Sequence, residues 1–136
     1  MVRMGLLDLA PDWVTLRDST EEGLPVVVLL DRAVATTAPH PDCPLQVAVA
    51  VQVSRTADGL PAEADKPNLR DLEQRLVDAA AGQARLVAVM TLEGVREWIL
   101  YGRSGDWTTP FVAAGISCIV TEDPSYLGLL ELSGAV

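Results

Sequence analysis

The stretch of sequence from Asp58 to Tyr101 decides the fold of this chain. With x for any residue, it reads Asp58-Gly59-Leu60-Pro61, then Leu69-x-x-Leu72-Glu73-x-x-Leu76, then Thr91-x-x-Gly94-x-Arg96-x-Trp98-x-x-Tyr101. The Asp-Gly pair is typical of a turn, and the leucines fall on one stripe of a helix. The last part has the pattern of two strands joined near Gly94. The stretch therefore predicts a turn, an amphipathic helix and a β-hairpin, and it carries no catalytic signature.

Further elements follow from the same patterns. The helix is expected to begin with Asn68 as its N-cap and to end at Gly82. A short second helix is expected around Trp107 and Phe111, with Asp106 as its cap. Alternation places Val47, Val49, Val51 and Val53 on one face of a strand. The predicted strands are residues 26–30, 46–55, 86–90, 95–101 and 116–121.

This order of elements predicts the fold class. From Gln46 onward the order is βαββαβ, which is the ferredoxin-like order, with one extra N-terminal strand in front of it. The class is α+β, with a mostly antiparallel sheet and helices on one face. A chain of 136 residues is expected to form a single domain over residues 1–136.

Several predicted strands are apolar on both faces, so the second face of the sheet needs a cover. Three covers are open: the region around Trp13, the C-terminal segment Tyr126–Leu132, and a second copy of the protein. The last of these would make a homodimer through the open sheet face.

Composition limits the partners and the location. The net charge of −9 disfavours contact with phosphate backbones, so no nucleic acid is expected. The acidic surface serves solubility, or it meets a basic partner such as a nuclease. No run approaches the roughly 20 apolar residues of a membrane helix, and no secretion signal is visible, so we expect a cytoplasmic protein without a membrane partner. Cys43 and Cys118 are expected to be inert thiols.

The residues that usually carry chemistry do not form a recognisable set. His40, Asp42 and Cys43 share one loop, but zinc needs three or four ligands and no second cluster exists. No serine or cysteine has a nucleophile elbow, and no phosphate loop or dinucleotide fingerprint is present. The acids near predicted strand ends are interpreted as solvated surface residues: Glu93, Glu97, Glu122 and Asp123. We therefore predict no catalytic residue, no metal and no cofactor, although paired carboxylates leave enzyme activity open.

One cluster has more chemical capacity than the rest of the chain. It consists of Arg96, Trp98, Tyr101, Arg103 and Trp107. Arginine beside aromatic residues binds anions or anchors protein partners. The competing interpretation is that the aromatics are core or dimer contacts and that Arg96 pairs with a carboxylate. The five residues are the predicted ligand or partner site.

At these residues the chain resembles a bacterial family known as domain of unknown function 695. The resemblance rests on Trp13, on Gly59-Leu60-Pro61, on the helix residues Leu69, Leu72, Glu73 and Leu76, on the hairpin residues Gly94, Arg96, Trp98 and Tyr101, and on Asp123-Pro124 with Tyr126. The family brings no activity. Its association with a domain similar to the ribonuclease E inhibitor B family implies a regulatory or protein-binding role.

Three functions are consistent with these patterns. The first is a non-enzymatic, cytoplasmic interaction or regulatory module that binds a protein partner or itself. The second is a small enzyme or ligand-binding protein with a pocket near Arg96 and Trp98. The third is an immunity-type protein that masks a basic toxin surface.

Overall fold

A computed structural model describes residues 5–53, 63–92 and 94–133 of the chain. The strands within these ranges are β1 Trp13–Ser19, β2 Pro25–Asp31, β3 Leu45–Gln52, β4 Ala84–Leu92, β5 Val95–Gly102 and β6 Ser117–Glu122. The helices are α1 Arg32–Thr37, α2 Lys66–Ala80, α3 Thr109–Ala113 and α4 Leu127–Leu132. Short 3-10 turns cover Leu6–Asp8, Glu63–Asp65 and Asp106–Thr108.

All six strands form one antiparallel sheet in the order β1-β2-β4-β5-β3-β6. The predicted α+β class with an antiparallel sheet is confirmed, and the order from β3 to β6 is compatible with the ferredoxin-like arrangement. Two strands precede this part of the sheet, whereas the sequence predicted one. β1 was missed because it is an edge strand with mostly exposed side chains and little apolar alternation.

The predicted boundaries need two corrections. Helix α2 begins at Lys66 and not after Asn68, because Pro67 fits the first turn, where no intrahelical N–H bond is lost. Strand β4 continues to Leu92, beyond the predicted turn at Thr91. Gly82 follows α2 with φ +79°, as expected for a helix C-terminus. The predicted turn at 58–61, the last residues of the strand 46–55 and Glu93 lie outside the described residues.

The first face of the sheet packs against α2 and α3, as predicted. Val47 and Val49 of β3 are fully buried there, which confirms the valine face. The leucine stripe of α2 meets them with Leu69, Leu72 and Leu76. Trp98 and Leu100 of β5, Val89 of β4, and Trp107 and Phe111 complete this core.

The second face is covered by the C-terminal segment, one of the three covers that the sequence left open. Tyr126 and Leu129 are fully buried against this face, together with Val34 of α1. The rings of Tyr126 and Tyr101 stack with centroids 4.0 Å apart. The short helices α1 and α4 therefore lie opposite α2 and α3, an addition to the predicted arrangement. The region around Trp13 contributes Leu6 and Val14 to this core, but Trp13 itself is 44% exposed.

Candidate functional site

The two tryptophans of the predicted site are core residues on the α2 face. Trp98 is fully buried, and its Nε1 donates a hydrogen bond to Oε1 of Glu73 at 3.0 Å. The Nε1 of Trp107 donates to the backbone oxygen of Ser104 at 3.0 Å. Both indole N–H groups are satisfied inside the protein, as buried tryptophans require. Neither indole is therefore offered to a ligand.

Tyr101 lies on the opposite face of the sheet from Trp98. Its hydroxyl donates to Oδ2 of Asp123 at 2.6 Å and accepts from Nε2 of Gln46 at 3.1 Å. Burial, followed by the bond to Asp123, raises the pKa of the Tyr101 phenol well above its usual range. Arg103 follows β5, is exposed, and lies on this side beside Cys43. The Tyr101 hydroxyl thus connects β5 to Asp123, just after β6. Tyr101 and Arg96 lie on opposite faces of the sheet, so they do not form one site.

The loop with the only histidine is packed into the second core. His40 is buried, and its Nε2 lies 2.9 Å from the hydroxyl of Thr37. Burial, and then the Asp42 charge, raise the pKa of the Cys43 thiol to about 11. Such a thiol is protonated at neutral pH and is a poor nucleophile or metal ligand. Over the described ranges, no three His, Cys, Asp or Glu side chains converge as a metal site would.

The acids near strand ends have separate environments. Glu122 is exposed at the end of β6. Asp123 accepts from Tyr101 and from two backbone N–H groups at the start of α4. Glu97 is half-buried on β5, where burial raises the pKa of its carboxyl group. Glu93 lies outside the described residues. Glu97 and Asp123 alternate to the same face of the sheet as Tyr101, but the described contacts of Asp123 are to Tyr101 and to the start of α4 and not to Glu97.

Arg96 lines a cavity together with three residues of α2. Lys66, Leu69, Arg70 and Arg96 surround a space of about 180 Å³ between the start of β5 and the first turns of α2. Lys66 and Arg70 are four residues apart and therefore lie on one side of the helix. The described lining of this space consists of three cationic side chains and Leu69, in a chain whose net charge is −9. We call these four residues the Arg96 site.

The guanidinium of Arg96 is held in an unusual environment. Its Nε is buried and has no hydrogen-bond partner among the described residues. Burial lowers the pKa of Arg96, and the charge of Glu73 partly opposes that effect. Val51 and Thr91 face Arg96 from the two adjacent strands. Thr91 is buried and Val51 is half-buried, so the aliphatic part of the Arg96 side chain lies beside side chains with little solvent exposure. Buried donors without partners are rare in folded proteins, and an anion in the cavity would supply an acceptor.

A larger cavity of about 540 Å³ lies at the other end of α2. Two of its charged lining residues form an ion pair, because Nη2 of Arg85 donates to Oδ2 of the fully buried Asp31 at 2.6 Å. The third, Glu73, accepts the indole N–H of Trp98. The Nη1 of Arg85 donates to the backbone oxygens of Leu6 and Leu9 at 2.8 and 2.6 Å. The remaining lining is mainly apolar and includes Trp13. Size alone therefore favours this cavity, whereas the cluster of cationic side chains favours the Arg96 site.

The sequence identified Arg96 but missed Lys66 and Arg70. The signal was available, since two cations with i, i+4 spacing flank Leu69 at the start of the predicted helix. They were overlooked because the helix was expected to begin after Lys66. Only the packing of α2 across β5 brings them beside Arg96.

Comparison with known proteins identifies the family. The model of the Family of unknown function (DUF695) matches residues 11–115, and the chain belongs to this family. The matched residues include β1 to β5, α2, α3 and the whole Arg96 site, and they stop before β6. No curated protein and no solved structure matches the chain.

Proposed function

We propose that this protein is a non-enzymatic binding module that holds a small phosphate- or carboxylate-bearing ligand at the Arg96 site. The observation that carries the proposal is the buried Nε of Arg96, which has no hydrogen-bond partner among the described residues and lies beside a cavity that Arg70 also lines. This proposal selects the ligand-binding function from the three that the sequence left open.

The chemistry of the cavity suits an anionic group. A guanidinium forms paired hydrogen bonds with the oxygens of a phosphate or carboxylate, and these charged bonds are stronger than neutral ones. Arg96 is partly desolvated, so an anion beside it interacts through a medium less polar than bulk water. A cavity of about 180 Å³ is below the roughly 300–1,000 Å³ of pockets for drug-sized ligands. It therefore suits a charged group and leaves the rest of a ligand outside.

The test is a titration of the protein with inorganic phosphate and, separately, with acetate, at constant ionic strength. Isothermal calorimetry measures the affinity, and thermal unfolding measures the accompanying rise in Tm. Arg96→Gln is expected to weaken binding about 10- to 100-fold, the loss of one hydrogen bond to a charged group. The two anions show which acid group the site prefers.

Arg17→Gln is the matched control, because it removes one positive charge from an exposed position on β1. If general charge attraction caused the binding, Arg17→Gln and Arg96→Gln would weaken it equally. Equal effects, or no binding of either anion at about 10 mM by the wild type, where even a 1 mM site would be nearly filled, would reject the proposed function.

We propose a protein partner or a second copy as a further role, which keeps the interaction module and the immunity-type protein as candidates. Exposed apolar side chains on and beside β6, including Ile119 and Leu127, support it. A basic partner would fit the net charge of −9. Sedimentation of the purified protein, alone and with a candidate toxin, tests this role, and a single monomeric species in both samples would count against it.

We also propose a bacterial cytoplasmic location. Cys43 and Cys118 are both free thiols, which suits a reducing compartment. Among the described residues, no helix has the length and apolar character needed to cross a membrane. Fractionation of a bacterium that expresses the native gene tests the location, and recovery in the periplasm would contradict it.

A further inference from the structure

The two edge strands of the sheet differ in how they are protected. β1 carries the exposed charges Arg17 and Asp18, and charges of this kind discourage pairing with another chain. β6 carries Ile119 and Val120, whose side chains are 61% and 45% exposed. The only charged residue of β6 is Glu122 at its end. The β6 edge therefore lacks the features that normally prevent strand pairing.

Half of the backbone hydrogen-bonding groups of β6 face away from β3, its partner strand in the described sheet. The N–H of Asp123 donates to the oxygen of Pro44 at 2.9 Å. Because hydrogen-bonded pairs alternate along an antiparallel ladder, Thr121, Ile119 and Ser117 turn their backbone groups toward β3. The N–H and C=O groups of Cys118, Val120 and Glu122 then point away from β3. No strand within residues 5–53, 63–92 and 94–133 pairs with them, so they can accept one more strand.

Apolar surface continues around the edge on both faces of the sheet. Val112 of α3, which packs beside β6 on the first face, is 54% exposed. Leu127 at the start of α4 is 50% exposed, and its N–H donates to Asp123 just after β6. An added strand alone would leave these side chains in water, whereas an added sheet with its own helices would cover them.

We propose that β6 pairs antiparallel with β6 of a second copy, so that two sheets join into one across a two-fold axis. This inference rests on the proposed interaction role and is independent of the Arg96 site. A second copy brings the same strand, with the same free backbone groups and the same apolar flanks, to the edge. The interface is thus self-complementary, as a two-fold dimer requires.

Geometry limits this pairing to two central registers. Opposite residues of an antiparallel pair point to the same face, while successive residues of a strand point to opposite faces. The two-fold axis therefore lies midway between the two copies of one residue. For the strand to pair along most of its length, that residue must be at its centre, so either Ile119 faces Ile119 or Val120 faces Val120. In neither register does Glu122 face Glu122, so the single charge of β6 is not opposed by its own copy. This allows two chains of net charge −9 to meet along an acid-free centre.

Sedimentation of the full chain gives the first test. We expect the wild type to be a dimer, and we expect Ile119→Lys and Val120→Lys each to raise the dimer dissociation constant about tenfold or more, because each places two like charges at the centre. Val77→Lys is the control, since Val77 lies on α2 with a similar exposure of 40%. Circular dichroism checks that each variant is folded.

Cross-linking gives the second test and does not depend on disrupting the protein. In a Cys118→Ser background, either Ile119→Cys or Val120→Cys is expected to form a disulfide-linked dimer under mild oxidation. The reason is that opposite Cα atoms lie about 4.5 or 5.5 Å apart, within the range that a disulfide spans. Val77→Cys in the same background is expected to remain monomeric on a non-reducing gel.

The outcomes separate this inference from the broader interaction role. A wild-type dimer in which neither cysteine variant cross-links would place the dimer contact elsewhere and overturn pairing through β6. A wild-type monomer at about 100 μM, a concentration at which even a weak micromolar dimer would be populated, would also overturn it. The latter result would leave a heterologous partner as the remaining interaction role.

Discussion

Trp98 donates its indole N–H to Glu73 at 3.0 Å, and this bond joins the buried centre of β5 to the polar side of α2. The same carboxylate raises the pKa of Arg96 against the effect of burial. Glu73 therefore has two separable effects. Its oxygen satisfies a buried donor, and its charge stabilises a guanidinium whose Nε has no hydrogen-bond partner in the described part of the chain.

Substitutions of Glu73 are expected to separate these two effects. Glu73→Gln keeps an acceptor for Trp98, so the free energy of unfolding should fall by less than about 1 kcal/mol. Glu73→Leu leaves the indole N–H unsatisfied in the core and should cost about 1–3 kcal/mol. Urea denaturation measures both values. Equal destabilisation by the two variants would show that the hydrogen bond contributes little.

Glu73→Gln is also expected to strengthen phosphate binding at the Arg96 site. Removing a negative charge beside Arg96 removes repulsion of the anion, by a few-fold in affinity at a partly exposed site. The calorimetric titration described for Arg96→Gln measures this effect. Weaker phosphate binding by Glu73→Gln would indicate that Glu73 mainly positions Arg96.

The buried ion pair between Asp31 and Arg85 is expected to be sensitive to loss of one partner. Asp31→Ala leaves the mostly buried Arg85 without its carboxylate and removes the side-chain cap of α1 at Ala33. Breaking a buried pair in this way costs about 3–5 kcal/mol. The exposed pair Arg32–Asp12 provides the control, because Arg32→Ala should cost less than about 1 kcal/mol. Urea denaturation that ranks the two variants the other way would contradict this prediction.

Two glycines are expected to respond to alanine for different reasons. A Cβ on Gly102 would lie 2.5 Å from Cβ of Ala84 and 2.6 Å from the backbone oxygen of Gln83. Gly102→Ala must therefore displace a strand, at a cost of about 1–3 kcal/mol or more. Gly23 has φ +82° and open space around it, so Gly23→Ala should cost only the left-handed strain of about 1–2 kcal/mol. Thermal unfolding compares them, and a Gly102→Ala protein as stable as the wild type would refute the clash.

The two thiols are expected to react at different rates. Burial raises the pKa of Cys43 to about 11, so at pH 8 only about one thiol in a thousand is ionised. Cys118 is half-buried, and burial raises its pKa as well, but its side chain is closer to solvent. Mass spectrometry after a short iodoacetamide pulse should find label on Cys118 first. Labelling of Cys43 should rise as the pH increases toward 11 or on unfolding, and equal early labelling would contradict the buried placement.

Periodicity predicted the central part of the fold because burial there follows simple rules. The valine face of β3 and the leucine stripe of α2 each meet one core, so alternation and the helical repeat are visible in the sequence. On β5, Trp98 and Ile99 belong to the cores on opposite faces, as alternation along a strand requires. The short helices α1 and α4 were missed because six residues are too few to show a helical repeat.

The candidate site was only partly predictable. Arg96 was identifiable because its guanidinium brings a charge and several hydrogen-bond donors to a position beside core aromatic residues, where packing alone requires neither. Its neighbours Lys66 and Arg70 come from another element, and the crossing of α2 over β5 depends on the packing of many side chains. Trp98 and Tyr101 are three residues apart on one strand, and alternation places such residues on opposite faces of the sheet. Their separation therefore follows from the sequence alone.

Strand β3 has both of its neighbours, β5 and β6, later in the chain. During synthesis on a ribosome, β3 is made before either neighbour exists. The backbone hydrogen bonds on both sides of β3 can form only after these later segments have been made. Pairing between segments far apart in the sequence slows folding. The central sheet is therefore expected to assemble late in translation, and the early nascent chain exposes an unpaired valine-rich strand of the kind that chaperones protect from aggregation.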